Sequence, residues 1–335
     1  MAHIKMNLCF SVIIPLYNKA PYVRKALESV VAQTYRDFEL IIVDDGSTDE
    51  SLQVVEDYIR ETISDERLTI RVIRQKNSGV AAARNRGVKE SRGEYVCFLD
   101  ADDWWEPNFL GEIYKLVTEC PDAGILCTNY IYYKPGKTHE ALNLPRGYIN
   151  YPEAYIQCMS MPVTSITTCM PRRVFDEMGG FPVGIKLGED FLLWAKTAIH
   201  YPVAFSEKPL AYYNNDIPAA HRATRNLHAP EHHMLFNLTS LEDEIESRVE
   251  SRETREDWRA LLDWLRVNGM LEYWLDERYR NVAADELKKV NWSLQQKSMK
   301  AMYKKPIWYL RAHRSFMQFG SYIKQKLIRK LQRKG

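Results

Sequence analysis

Glu94-Tyr-Val-Cys-Phe-Leu-Asp-Ala-Asp-Asp103 is an apolar, aromatic, strand-like run that ends in three carboxylates, Asp100, Asp102 and Asp103. Open α/β sheets bind ligands at the carboxyl ends of their strands, so a strand closed by acids marks a site. Asp-x-Asp sets two carboxylates on one loop, both able to turn to one hard cation. Oxygen ligands in that number suit Mg2+ or Mn2+, with substrate phosphates completing the shell. A plainer reading makes Asp102 or Asp103 the N-cap of a helix starting between Trp104 and Pro107.

The flanking sequence repeats the pattern. Residues 10–16 form a β-branched strand, Tyr17-Asn18 a turn, and residues 20–34 a helix with Val23, Ala26, Leu27, Val30 and Val31 at helical spacing. A second strand, 38–43, also runs into acids, Asp44 and Asp45, before Ser47, Thr48 or Asp49 caps a helix over 52–59. A strand over 68–73, a turn at Asn77-Ser-Gly79, a helix over 80–91 and the strand 95–99 follow. This alternation predicts right-handed crossovers and a mainly parallel sheet flanked by helices, with Asp44/Asp45 and Asp100/Asp102 on one edge. Neither Gly-x-Gly-x-x-Gly nor Gly-x-x-x-x-Gly-Lys-Ser/Thr occurs, which argues against dinucleotide oxidoreductases and P-loop NTPases. Beyond residue 103 the pattern predicts a helix over 107–119, strands over 124–133 and 163–170, a helix over 172–178 and a strand from Pro209. Gly188-Glu189-Asp190 opens a further apolar helix, where an acidic first turn also suits the helix dipole.

The 335 residues are 45% apolar and 27% charged, those of an ordinary globular chain. No secretory leader or membrane-spanning run is recognisable, and six cysteines without Cys-x-x-Cys spacing read as core residues of a reducing, cytoplasmic protein. The net charge of +2 hides an asymmetry: 14 of the 46 basic residues and no acid follow Glu286.

Four ordered blocks closely resemble family 2 glycosyltransferases: Ser11-Val-Ile-Ile-Pro-Leu-Tyr-Asn18, Val43-Asp-Asp-Gly-Ser-Thr-Asp49, Asn77-Ser-Gly-Val-Ala-Ala-Ala-Arg-Asn-Arg-Gly87 and Gly93 to Asp103, with Gly188-Glu-Asp-Phe-Leu-Leu-Trp194 later. The resemblance covers the first 200 to 225 residues. It implies a GT-A fold and inverting, metal-dependent transfer of one sugar from a nucleotide-diphosphate sugar, UDP foremost, to a glycan or lipid-linked acceptor in surface polysaccharide synthesis. It implies a catalytic domain over 1–225, divided into a nucleotide-sugar half (1–105) and an acceptor half (106–225). Pro15, Tyr17, Asn18, Asp45, Asn77, Arg84, Asp100 and Ala101 would bind the nucleotide sugar. Asp45 would meet the base, Arg84 the diphosphate or the acidic loop, and Asp100 the ribose or sugar. Asp102, with Asp100 and a loop His221, would hold Mn2+ or Mg2+; Arg222 is a neighbouring candidate. Asp190 would be the base that takes the acceptor proton, and Glu189 would contact or orient the acceptor. The absence of Gln-x-x-Arg-Trp points away from processive synthases. A silent nucleotide-sugar-binding scaffold and a nucleotidyltransferase on a related sheet are the alternatives.

Residues 226–290 read as a charged helical extension with an apolar stripe, suited to packing on the catalytic domain or on a second copy in a homo-oligomer. The tail, 291–335, interleaves basic and aromatic residues, which suits a peripheral contact with an anionic membrane at its cytoplasmic face. Nucleic acid is the rival partner and the less favoured one.

Overall fold

The computed structural model describes residues 10–62, 68–218, 227–293, 295 and 297–311. His221 and Arg222 lie outside these residues, as does most of the basic tail. Two compact units are present, Met1–Leu261 and Leu262–Gly335.

The first unit begins with β1 (Phe10–Leu16), α1 (Val23–Val31), β2 (Phe38–Asp44), α2 (Ser51–Thr62), β3 (Thr69–Arg74), α3 (Val80–Glu90) and β4 (Tyr95–Phe98). β1 and β2 are buried along their whole length, as continuous β-branched runs in a sheet covered on both faces must be. Each fully buried Val or Ile there contributes about 1.5–3 kcal/mol. Glu39 is an exception inside β2, and its charge is answered: Ser11 Oγ donates at 2.7 Å and Arg71 at 2.8 Å. α3 lies close on β1 because its Ala and Gly side chains permit it; a Cβ at Gly87 would collide with Ile13.

Next come β5 (Trp104–Trp105), α4 (Phe109–Glu119), β6 (Ile125–Tyr133), β7 (His139–Glu140), β8 (Gly147–Ile149), α5 (Tyr151–Cys158), β9 (Thr168–Pro171), α6 (Arg172–Met178), α7 (Glu189–His200) and β10 (Val203–Asn214). One ten-stranded sheet has the order β3-β2-β1-β4-β9-β6-β10-β5, with β7 on β6 and β8 on β10. The pairs β3/β2, β2/β1, β1/β4 and β6/β10 are parallel. β9 is antiparallel to both β4 and β6 and joins the two parallel parts.

Two expectations need correction. The predicted strand over 163–170 is a 3-10 turn, Ser165–Thr167, followed by the short β9. Thr167 Oγ1 accepts from Thr164 N at 3.1 Å and Thr168 Oγ1 donates to Thr164 O at 2.6 Å, local bonds that compete with a strand ladder. The last strand starts at Val203, before Pro209, and its register with β6 shifts on both sides of that proline, which has no N–H to give. Past residue 225 the first unit continues into helices to Leu261. α8 (Thr239–Arg248) packs on α7, Lys196 pairs with Glu244 at 3.7 Å, and Trp258 of α9 (Arg252–Gly269) stacks on Tyr151.

The second unit holds the end of α9 with α10 (Leu271–Leu275), α11 (Arg280–Lys288) and α12 (Lys297–Tyr303). Leu271, Leu275 and Leu310 form its apolar centre, flanked by Trp274, Met302, Ile307 and Tyr309. Buried Arg266 pairs with Glu286 at 3.2 Å, and Tyr303 Oη donates to Val267 O at 2.7 Å. Among the described residues no helix is long and apolar enough to cross a membrane. Cys97, Cys120, Cys127, Cys158 and Cys169 are buried.

Candidate functional site

In register, Leu16, Asp44 and Arg74 end β1, β2 and β3 together. β4 ends beside them, since Leu99 N donates to Ile13 O at 3.0 Å. The loops that leave this edge are stitched to each other. Asn18 takes a left-handed conformation (φ 51°), and its Oδ1 accepts from Thr48 N at 2.8 Å. Asn is among the few side chains that tolerate this backbone. Tyr17 is 45% exposed at the mouth of the edge, whereas Pro15 is buried within β1. Asp45 is buried, and three protein donors already use its oxygens: Gln75 Nε2 at 2.7 Å, Ser78 N at 2.8 Å and Gly79 N at 2.8 Å. A nucleobase at Asp45 would share a carboxylate that shapes the loop before α3. Asn77, in that loop, is exposed.

The acidic loop after β4 is not a helix cap. Asp103 is buried, and its Oδ1 accepts from Asn214 N at 2.7 Å at the end of β10. Trp104 and Trp105 continue as β5, antiparallel to β10, and α4 starts later, after Asn108. Burial pushes the Asp103 carboxyl well above the ordinary range, and Asp102 and Asp100 add to the push. Asp102 also rises, first through burial; Lys19 opposes the rise and Asp100 reinforces it. Lys19 Nζ donates directly to Asp102 Oδ2. Ala101 is buried between the two acids.

Arg84 sits on the buried face of α3, not on the surface. Its Nη2 donates to Asp100 Oδ1 at 2.6 Å and its Nη1 to Glu189 Oε1 at 2.9 Å, with the guanidinium over the Phe181 ring. Burial opposes its charge, but Asp100, Glu189 and Asp190 hold its pKa above the ordinary value. One planar fork thus ties the loop after β4 to the first turn of α7. Gly188 precedes that turn in the left-handed region (φ 83°), and a Cβ there would meet the Met234 side chain. The next two residues divide their roles. Glu189 braces Arg84. The Asp190 carboxyl is pushed up to about 7 by burial and then by Glu189, against the pull of Arg84. Burial and then Asp190 push up the Tyr155 hydroxyl, while Tyr213 feels burial and then Asp103, Asp100 and Asp102. Tyr132 packs on Tyr213. An aromatic, hydroxyl-bearing wall therefore adjoins both groups of acids.

As oxygen donors, Asp100 and Asp102 fit a hard divalent cation that takes one or two carboxylates and leaves further positions to phosphate. Among the described residues, no three carboxylate, imidazole or thiol groups form a complete cage. The sequence reading missed Lys19, and its one available signal was position, directly after Tyr17-Asn18 at the end of β1.

A parallel half-sheet with acids at its carboxyl edge, joined through an antiparallel strand to a second half, is the architecture of the GT-A fold. S. aureus TarS 1-349, solved with UDP-GlcNAc, aligns with a TM-score of 0.69 at 22% identity, over 85% of this chain and 82% of that one. The mannosyltransferase PcManGT from Pyrobaculum calidifontis, solved with GDP-Man and Mn2+, aligns with a TM-score of 0.53 at 18% identity, over 97% and 88%. At these identities the likeness is one of fold. Residues 11–177 match the model of Glycosyl transferase family 2, and this stretch of the chain belongs to that family. The Streptococcus pneumoniae glycosyltransferase GlyA is 40% identical over 120 residues, 36% of this chain and 16% of the relative. The Bacillus subtilis glycosyltransferase EpsH is 36% identical over 152 residues, 44% and 42% respectively. The matched stretch thus spans less than half the length of either relative.

Proposed function

We propose that the chain is an inverting glycosyltransferase that moves one sugar from a nucleotide-diphosphate sugar to a hydroxyl of a glycan or lipid-linked acceptor. One observation carries this reading. Arg84 bridges Asp100, on the donor-side loop, to Glu189, the neighbour of a carboxylate whose pKa is near 7. A general base serves best with a pKa near the working pH. In the transfer, the acceptor oxygen bonds to the anomeric carbon as the bond from that carbon to the phosphate oxygen breaks. Asp190 takes the acceptor proton, and the nucleoside diphosphate departs with the electron pair. Glu189 and Arg84 hold α7 and the acidic loop in mutual position. Tyr17 and Asn18 flank the nucleotide, with Asp45 and Asn77 on the adjoining loop. Asp102 and Asp100 would hold Mn2+ or Mg2+, which supplies charge for the leaving diphosphate.

UDP is the first donor to test, because TarS was solved with UDP-GlcNAc. The basic residues after Glu286 and Trp308, 70% exposed, support a peripheral site at the cytoplasmic face of an anionic membrane, where lipid-linked acceptors of surface polysaccharides reside. Calorimetry with UDP, GDP, CMP and ADP, each with and without Mn2+, tests the reading. UDP binding that requires Mn2+ and is lost in Asp102→Ala is the expected result. Failure of every nucleotide to bind under either condition would overturn it.

A further inference from the structure

Lys19 is delivered to Asp102 by a braced backbone. Its own N–H donates to Ser51 Oγ at 2.6 Å, and the preceding Asn18 is fixed by Ser47 Oγ and by the 48–49 turn. Its Nζ donates to Asp102 Oδ2, with both side chains largely withdrawn from solvent. Asp100, two residues away, already spends an oxygen on Arg84. The two acids of the Asp-x-Asp loop are therefore both answered by protein cations before any ligand arrives. A divalent ion bound at the Asp102 oxygen and an ammonium at the same oxygen are like charges in contact, and they repel strongly where water is scarce.

We propose that Lys19 is a resident counter-ion of Asp102 that a divalent cation must displace, and that this exchange couples metal binding to donor binding. The coupling rests on the reading that a nucleotide diphosphate binds at this edge. A lysine head on a flexible four-carbon stem can change partner without moving its backbone. When metal comes alone, breaking the pair leaves the ammonium without an anion. When it comes with a nucleoside diphosphate, the ammonium exchanges a carboxylate for a phosphate oxygen. Metal and nucleotide then raise each other's affinity by the same factor. Lys19 is a positioning residue in this scheme.

The test is Mn2+ binding to the full chain, followed by the electron paramagnetic resonance of free Mn2+, with and without UDP. The proteins are wild type, Lys19→Met and Lys19→Gln, the last keeping a polar head should the first fold poorly; thermal melts check both. In each variant Mn2+ alone is expected to bind about tenfold more tightly, and the gain in Mn2+ affinity on adding UDP to shrink by a similar factor. Mn2+ affinity that stays unchanged or falls, as for a merely structural lysine, overturns the displacement. So does the absence of Mn2+ binding in all three proteins. A UDP-induced gain equal to that of wild type overturns the coupling. If UDP binds none of the proteins, the donor reading and the coupling both fail, while the metal-only measurement still decides the displacement.

Discussion

Two groups of charge, each centred on buried carboxylates, are built on opposite terms in the first unit. Around Glu112, on α4, three acids meet three cations. Arg146 reaches Glu112 at 2.5 Å, Glu119 at 2.9 Å and Glu207 at 3.6 Å; Glu112 is also reached by Lys208 at 2.7 Å and by Lys115 at 3.8 Å. Burial opposes the Glu112 charge, but the bonds from Lys208, Arg146 and Ser206 overcome it and take the carboxyl down to about 2. At the carboxyl edge five acids, Asp100, Asp102, Asp103, Glu189 and Asp190, face Arg84 and Lys19. There Asp102, Asp103 and Asp190 move up. A balanced cluster is a brace, whereas an acid surplus held in place by the fold is poised to take up a proton or a cation.

The contrast can be broken most severely at Asp190. Asp190→Asn should lower the transfer rate by about 10²- to 10⁴-fold while UDP binding persists; a variant with full rate would remove Asp190 from the role of base. In wild type the rate should climb about tenfold per pH unit up to a bend near 7, since the base must lose its proton. Glu112→Gln should leave the turnover of folded protein intact and cost about 1–3 kcal/mol of stability, read by urea denaturation at pH 7, because it removes the buried anion that the partly exposed Arg146, Lys208 and Lys115 share.

The two carboxyls should also oppose each other in their pH dependence. Glu112, lowered from 4.5, stabilises the fold fully above about 4.5, and the effect disappears as pH falls through about 2. Asp190, raised from 3.8, costs stability as pH rises from about 4 to about 7. Melts of Asp190→Asn should therefore fall less than those of wild type across that interval, by on the order of 1–3 kcal/mol. Gly87→Ala is expected to cost about 1–3 kcal/mol by forcing α3 off β1. If Arg84 positions α7 through α3, this variant also loses turnover without losing Mn2+ binding.

The donor half was legible because β1, β2 and β4 are mostly apolar runs that end abruptly in polar residues, a pattern local enough to read in one pass. Arg84 could be suspected among alanines, but its partner Glu189 lies 105 residues away. Lys19 on Asp102 and Asn214 on Asp103 are partnerships made by the sheet, with no local trace. The threonine turn at 164–168 misled for the converse reason: its alternation is strand-like, while its hydroxyls bond locally. The helix-cap reading of Asp102 and Asp103 failed because β5 intervenes before α4.

The bond from Asn214 N to Asp103 spans 111 residues and has a consequence in time. Contacts so distant in sequence are reached late, after the loop between them has been closed. The four parallel strands β3-β2-β1-β4 can assemble from the first hundred residues, with the Asp-x-Asp loop still slack. Only when β10 has been synthesised and laid beside β5 and β6 does that loop gain its final anchor. During synthesis Asn214, the final residue of the last strand, is therefore also the last part of the sheet to leave the ribosome.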